Sequence, residues 1–206
     1  MDRFGYTLGW GEEIREKLLN VGIRACMEER SRHLGEDTRK GYEENKEEVK
    51  ASFYKAVDAV GRQVKELQEA GVKSAICYIH ISYLLSGVLT GEHKTRIDFY
   101  DRRHFADLRE AGGFWDYSML FPEYKRELEE MEYRLRREVP RLTFCEVQRA
   151  KTYFQVGNFI VLEPILKELV REKRVRECLD GYLAETVNVY YGAYLDQAEL
   201  ICKWER

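Results

Sequence analysis

The spacing of apolar side chains changes at Val72, and this change predicts where helices give way to a sheet. Before Val72 the apolar residues recur every three or four positions, the period of one helix face. Residues 76–83 and 95–100 instead alternate between apolar and polar positions, as half-buried strands do. Because the connection between the two runs is short, they are predicted to pair as an antiparallel hairpin at about 75–101. Its exposed face would carry Arg96, Asp98, Tyr100 and His80.

Two helices are predicted before the hairpin. Ile14, Leu18, Val21 and Ala25 form one apolar stripe, so the first helix is expected to bury that face. A break is predicted at 33–35, because a glycine after a basic stretch is a favoured helix end. A long second helix over 37–69 carries a stripe of seven residues: Tyr42, Val49, Phe53, Val57, Val60, Val64 and Leu67.

The second half of the chain reads mainly as helix. Gly112 to Trp115 predict a short third strand, and a helix follows Pro122 and ends before Pro140. Thr143 and Glu146 form a capping-box pattern that begins another helix, expected to close at 157–158. A further helix is expected from about 163, then a short one at about 175–183. The composition of the segment after them favours a strand at about 185–194, although a helix fits 185–202 as well.

These elements predict a single α+β domain over 1–206, with amphipathic helices packed on a small, mainly antiparallel sheet. The predicted order is N-terminal helices at about 12–70 and a sheet-containing centre at about 73–121. A helical C-terminal part follows at about 122–184, with a possible closing strand at about 185–194. Two smaller domains are the alternative.

Charge and cysteine usage narrow the class of protein. The 34 basic and 37 acidic side chains give a net charge of −3, which argues against a dedicated nucleic-acid binder. Five separated cysteines without a C-x-x-C pair are typical of free thiols in a reducing compartment. The N-terminal sequence lacks signal-peptide features, and the apolar run at 75–89 is too short for a membrane span. The protein is therefore expected to be cytoplasmic, with no membrane partner.

The residues best suited to chemistry are His93, Asp98, Asp101 and His104. Imidazole and carboxylate groups bind Zn²⁺, Mn²⁺ or Fe²⁺, and the same groups serve as general acids and bases. Strand alternation, however, places Asp98 opposite His93 and Asp101. The alternative is a turn at the sheet edge with solvated charges, in which Asp101 caps the next segment. No cofactor is predicted, and a divalent metal is the alternative.

His80 is the third catalytic candidate beside Asp98 and Asp101. It lies in the middle of a predicted strand, where it is either a general base or a hydrogen-bonded partner of a Tyr or Asp. Cys77 is expected on the opposite strand face, and the chain contains no nucleophile or phosphate-loop motif.

Two aromatic clusters are candidates for core or for interface, and core is expected for most members. They are Phe114, Trp115, Tyr117, Phe121 and Tyr124, and Tyr182, Tyr190, Tyr191, Tyr194 and Trp204.

Three short runs carry a resemblance: SYLLS at 82–86, RIDFYD at 96–101 and GAYLD at 192–196. They resemble runs shared by a group of uncharacterised bacterial proteins, although that group usually has Arg where this chain has Leu85. No activity is assigned to the group, so the resemblance implies no catalytic residue.

The function expected from the sequence is a non-enzymatic interaction or regulatory module that binds a protein partner or itself. The absence of a catalytic motif and the aromatic clusters favour it. A small enzyme using the His/Asp cluster, with metal or acid/base chemistry, is the alternative. A nucleic-acid role is third.

Overall fold

The chain folds into one five-stranded sheet with helices packed against it. The computed structural model describes residues 5–205, with side chains described from residue 11 onward except at 85, 88 and 89. The helices are α1 (Gly5–Glu44), α2 (Lys46–Glu69), α3 (Leu85–Thr90), α4 (Tyr124–Glu138), α5 (Phe144–Leu169) and α6 (Lys173–Glu177). The strands are β1 (Ile76–Tyr83), β2 (Lys94–Asp101), β3 (Gly112–Asp116), β4 (Leu183–Ala193) and β5 (Ala198–Glu205).

The strand order is β3-β2-β1-β4-β5. Strands β1 and β2 pair antiparallel, as do β2 with β3 and β4 with β5, whereas β1 and β4 are parallel. The predicted α+β class and the hairpin at about 75–101 are therefore confirmed. The segment predicted as a strand at about 185–194 forms β4, whereas β5 after it was not predicted.

One face of the sheet carries the core. Ile79, Ile97 and Val189 are buried there with the inner faces of α2 and α5. At β3, Trp115 donates a hydrogen bond from Nε1 to Ser52 of α2 at 2.9 Å and meets the Phe53 ring edge-on. The stripe predicted for the second helix is buried at six of its seven positions, and Leu67 packs at its edge.

Two features predicted for the first helix are wrong. The helix does not break at 33–35, because Gly35 lies inside α1 and the interruption falls at Asn45. Leu34 packs against the core, so continuing the helix buries apolar surface that a turn would expose. The buried face is also shifted by one residue: α1 buries Leu19, Ile23 and Cys26 and exposes Ile14, Leu18 and Val21.

The helix predicted to close at 157–158 instead continues to Leu169 as α5. Its capping box is confirmed, since Glu146 N donates to Thr143 Oγ1 and Thr143 N donates to Glu146. Gly157 lets α1 approach closely: a Cβ there would lie 3.2 Å from Leu34 Cδ2. Pro164 lies inside the helix at an exposed position, where the backbone groups it leaves unbonded can be hydrated.

No helix in the part of the chain that the structure describes is long and apolar enough to cross a membrane. All five cysteines are free thiols.

Candidate functional site

The sheet has a second face, which points away from the core, and we call it the open face. Strand register places two kinds of side chain on it, aromatic or apolar and charged or polar. The open face includes Tyr78, His80, Ser82, Arg96, Asp98, Tyr100, Phe114, Asn188, Tyr190 and Leu200, and towards the strand ends Lys94, Asp116, Lys203 and Glu205. Strand alternation correctly predicted a common face for Arg96, Asp98, Tyr100 and His80, but the prediction that all four are exposed is wrong, because His80 and Asp98 are buried. Because the core does not use this surface, its side chains are the candidates for function.

A pair of histidines lies at one end of the open face. His80 Nε2 and His104 Nε2 are 2.7 Å apart, so one imidazole donates a hydrogen bond to the other. The Tyr190 ring stacks on His80 at 4.9 Å, and the Tyr78 ring lies 4.3 Å from His104. Burial, followed by the neighbouring His104, lowers the pKa of His80 from 6.5 to about 4. Burial also lowers the pKa of His104, so both imidazoles are neutral near pH 7, the state that can accept a proton.

The connection between β2 and β3, residues 102–111, brings His104 onto the sheet, and we call it the β2–β3 loop. His104 adopts a left-handed backbone conformation with φ 54°, which turns the chain back over the strands. The Phe105 ring then packs 5.0 Å from His80 and 5.4 Å from Tyr100. This end of the open face is thus covered by the loop, and only 7% of His80 is exposed.

A buried ion-pair network holds the β2–β3 loop in place. Lys73 and Asp107 form a salt bridge in which both side chains are fully buried. Lys73 Nζ also donates to the Arg109 carbonyl at 2.7 Å, and Asp101 N donates to Asp107 Oδ2 at 3.1 Å. Removing Asp107 would leave the Lys73 ammonium buried with only the Arg109 carbonyl as a partner, so the network fixes the loop strongly.

Asp101 belongs to this network. Arg103 NH2 donates to Asp101 Oδ2 at 2.7 Å, and Ser74 Oγ donates to the same oxygen at 3.1 Å. Hydrogen bonds from Arg103 hold the pKa of Asp101 well below its usual range. Arg103 N also donates to Asp101 Oδ1, so Asp101 caps the following turn as the alternative interpretation expected, but its carboxylate is buried and not solvated.

Asp98 lies beside Arg96 on the open face. Arg96 Nε is 2.9 Å from both Asp98 oxygens, and its NH2 group pairs with Glu110. The guanidinium also contacts the Tyr194 ring at 5.1 Å and the Phe114 ring at 5.8 Å. Burial raises the pKa of Asp98, and Arg96 counteracts this effect. Since Arg96 holds both carboxylate oxygens, its charge neutralises that of Asp98.

His93 lies on the core side of the sheet, away from the other candidates. Its ring packs against Tyr124 at 4.4 Å and Phe121 at 5.4 Å. Asn158 Nδ2 is 3.1 Å from His93 Nε2, and Asn158 Oδ1 accepts from Arg30 at 2.6 Å. Arg30 in turn bonds Glu127 and lines a groove of about 710 Å³ between α1 and α4. Burial lowers the pKa of His93 to about 4, as expected for a neutral histidine within a buried polar chain.

The four residues His93, Asp98, Asp101 and His104 therefore do not meet. His104 joins His80, Asp98 joins Arg96, Asp101 joins Arg103, and His93 lies among core residues. Among the described side chains, no three His, Cys, Asp or Glu residues form a group that could hold a metal ion. The pair that does form, His80 with His104, links a catalytic candidate to a metal candidate, and this pairing was not predicted.

The exposed apolar side chains lie around the edges of the open face, whereas His80, Ser82 and Asp98 in its centre are buried. Phe105 is 46% exposed, Phe114 is 53% exposed and Leu200 is 52% exposed. Leu108, at the tip of the β2–β3 loop, is 88% exposed. Of the two aromatic clusters, most members are buried as expected, but Phe114 and Tyr194 are exposed on this surface.

Only one sequence signal pointed to the apolar residues of the β2–β3 loop. Phe105 and Leu108 are large apolar residues in a segment that is otherwise strongly charged. Leu200 carried no such signal, because β5 itself was not predicted. The His80–His104 contact depends on the reversal of the chain after β2, and no residue spacing encodes that reversal directly.

The three runs that resemble the bacterial group lie close together in the fold. Ser82 and Arg96 are register partners, Tyr194 N donates to the Tyr83 carbonyl, and Arg96 lies over the Tyr194 ring. No family model, curated protein or solved structure matches the chain. The function of this surface therefore has to be inferred from its geometry.

Proposed function

We propose that this protein is a cytoplasmic, non-enzymatic interaction module, and that the open face is its protein-binding surface. The observation that carries the proposal is the exposure of three large apolar side chains around this face: Phe114 on β3, Leu200 on β5 and Phe105 on the β2–β3 loop. Apolar side chains on a rigid sheet lose little entropy when a partner covers them, so they suit binding. Aromatic residues are also enriched at the energetic centres of protein interfaces. A reducing cytoplasm would keep the five thiols free.

The charges of the open face support a protein partner over a nucleic acid. The strand positions that point outward carry three basic residues, Lys94, Arg96 and Lys203, and three acidic residues, Asp98, Asp116 and Glu205. Each basic group is within 3.0 Å of a carboxylate of the same chain. Binding to a phosphate backbone requires unpaired positive charge, and the open face offers none at these positions.

The test uses two double variants with matched exposure. Phe114→Glu with Leu200→Glu places charges on the open face, and Ile14→Glu with Val21→Glu places them on the exposed side of α1. Cells expressing each tagged protein are treated with a crosslinker, and the crosslinked protein complexes are compared. We expect the open-face variant to lose complexes that the wild type and the α1 variant retain. Unchanged complexes in the open-face variant, with the melting temperature preserved, would contradict the proposal.

A second candidate is a small enzyme, and the His80–His104 contact favours it. Two neutral imidazoles joined by a 2.7 Å hydrogen bond can pass a proton, and imidazole is also a common ligand of divalent metals. Asp98 and Asp101 are each engaged by an arginine, which leaves the two histidines as the acid/base pair.

Zinc binding separates this candidate from the interaction module. Calorimetric titration with Zn²⁺ should show a site in the wild type that is absent in His104→Ala if the pair binds metal. Equal heats of Zn²⁺ titration in the wild type and in His104→Ala would show that the histidine pair does not bind the metal. Normal crosslinked complexes in His104→Ala would show that the interaction does not depend on the pair.

A further inference from the structure

We infer that Gln63 acts as a substitute strand partner for β3 and protects this edge of the sheet from pairing with a strand of another molecule. The inference goes beyond the proposed function, because it concerns an edge of the sheet and not the open face. Strand order places β3 and β5 at the two edges. The outer side of an edge strand carries backbone N–H and C=O groups that can pair with a further strand, so unprotected edges promote aggregation.

The side-chain amide of Gln63, on α2, forms both hydrogen bonds of a strand partner with Gly112. Gly112 N donates to Gln63 Oε1 at 3.2 Å, and Gln63 Nε2 donates to the Gly112 carbonyl at 3.1 Å. A primary amide has a donor and an acceptor like those of a peptide group, so it can replace a neighbouring strand at this position. These bonds lie on the outer side of β3, because the preceding residue, Ala111, accepts a bond from Phe99 of β2.

Close packing of α2 on β3 holds Gln63 at the edge. A Cβ at Gly113 would lie 2.9 Å from Val60 Cγ2, so the glycine lets the helix approach the strand closely. Val60 and Gln63 are three residues apart on α2 and are therefore neighbours on the helix surface. The contact of Gly113 with Val60 thus sets the position from which the Gln63 side chain reaches Gly112.

The position of Gln63 is the one that an added strand would need. Because bonding directions alternate along a strand, the N–H and C=O groups of Phe114 and Asp116 point to the same outer side as those of Gly112. Phe114 is also 53% exposed, which makes this edge an apolar template for pairing. An added strand would run about 4.8 Å from β3, through the space that the Gln63 side chain occupies. It would therefore have to displace Gln63 before it could pair.

The opposite edge strand, β5, is protected by different means. A bulge interrupts its pairing with β4, and Lys203 and Glu205 place charges on the strand. Arg176 also donates to the Glu205 carbonyl at 2.9 Å. Bulges and charged side chains are common ways of preventing edge-to-edge pairing. The pairing of β2 with β3 contains no bulge, so the Gln63 amide takes over this role at the β3 edge.

Amide hydrogen exchange, measured by NMR, tests whether Gln63 pairs with Gly112. The Gly112 amide should exchange about fivefold faster in Gln63→Ala than in the wild type, because it loses its acceptor. Gln68→Ala is the matched control: Gln68 also lies on α2 and donates to backbone carbonyls, those of Ser74 and Tyr182, away from the β3 edge. It should leave the exchange of Gly112 unchanged. Equal exchange of Gly112 in the wild type and Gln63→Ala would overturn the inference.

Sedimentation velocity over a range of concentrations tests the protection itself. We expect Gln63→Ala to associate more strongly than the wild type and Gln68→Ala. In the associated state the Phe114 amide should become protected from exchange, because strand pairing gives its N–H a partner. Gln63→Lys loses the same bonds but places a charge at the edge, so it should not associate. No added association in Gln63→Ala, association without protection of Phe114, or equal association of Gln63→Lys would each overturn the inference.

Discussion

At the scale of single residues, the histidines link stability to pH. His80 and His93 are buried on opposite sides of the sheet, and burial lowers the pKa of each from 6.5 to about 4. His80 faces His104, the Phe105 ring and two tyrosine rings, and the nearest carboxylate across the register, Asp98, is held by Arg96. Asn158 and aromatic rings surround His93, and Asp116 offsets only part of the effect of burial on its pKa. The folded state therefore holds protons on these histidines less readily than the unfolded state.

The first prediction is a loss of stability in mild acid. Because the folded pKa values are below the unfolded value, the unfolded state binds more protons between pH 6.5 and 4, and the free energy of unfolding falls as pH falls. Each histidine contributes about 3 kcal/mol over that range. Urea unfolding at pH 7, 6 and 5 measures how steeply the free energy of unfolding falls with pH. This fall should be smaller in the double variant His80→Gln with His93→Gln. An equally steep fall in the double variant would show that the two histidines do not cause it.

The second prediction concerns the buried pair of Lys73 and Asp107. Asp107→Ala leaves the Lys73 ammonium buried with only the Arg109 carbonyl as a partner, and we expect a cost of about 3–5 kcal/mol. Glu110→Ala is the control, because Glu110 is exposed and should cost less than about 1 kcal/mol. Denaturant unfolding measures both variants. A cost for Asp107→Ala as small as that of the control would show that the pair does not hold the β2–β3 loop.

At the scale of elements, the path of α1 is the feature most easily tested. Gly35 lies within the helix, and a Cβ built there meets no atom within 4 Å. The third prediction is therefore that Gly35→Ala raises the free energy of unfolding by about 0.5–1 kcal/mol, since alanine favours the helix. If Gly35 instead ended the helix in a left-handed conformation, alanine would destabilise the protein. Urea unfolding of this single variant decides between the two.

Local patterns identified most elements but not their ends or their distant partners. The alternation at 76–83 and 95–100 predicted β1 and β2, because a strand that buries one face must alternate. Glycine is a common helix end, yet Gly35 is tolerated within α1 and Gly157 permits close packing of α1 on α5. The stripes on neighbouring faces of α1 are equally periodic, so periodicity could not choose the buried one. The parallel pairing of β1 with β4 joins residues too far apart for any local signal.

Strand alternation also predicted part of the candidate site. Alternation placed His80, Arg96, Asp98 and Tyr100 on one face. It could not place His104 beside His80, because that contact depends on the left-handed turn at His104 and on the Lys73–Asp107 salt bridge. Alternation did place His93 on the face opposite Asp98, which is the core side, but it could not identify the neighbours of His93, because Tyr124 and Asn158 come from distant helices.

At the scale of the whole molecule, the balance of charge and exposed apolar surface determines what the protein can bind. The fourth prediction is that the association of the open face depends little on salt. Raising the salt from about 50 to about 500 mM should change the dissociation constant less than about threefold, because the basic groups on the strands of the open face are already paired. Binding to a polyanion would instead weaken by about a thousandfold or more over this range. Sedimentation or fluorescence titration at both salt concentrations measures the difference.

The most direct test of the central claim is hydroxyl-radical footprinting of the chain in intact cells and in dilute purified form. The open face should be protected in cells whatever protein covers it. We expect the labelling of Phe105, Phe114 and Leu200 to fall severalfold in cells, while Ile14, Leu18 and Val21 on α1 are labelled equally in both. Equal labelling of the open face in the two states, or protection confined to α1, would contradict the claim that the open face is the binding surface.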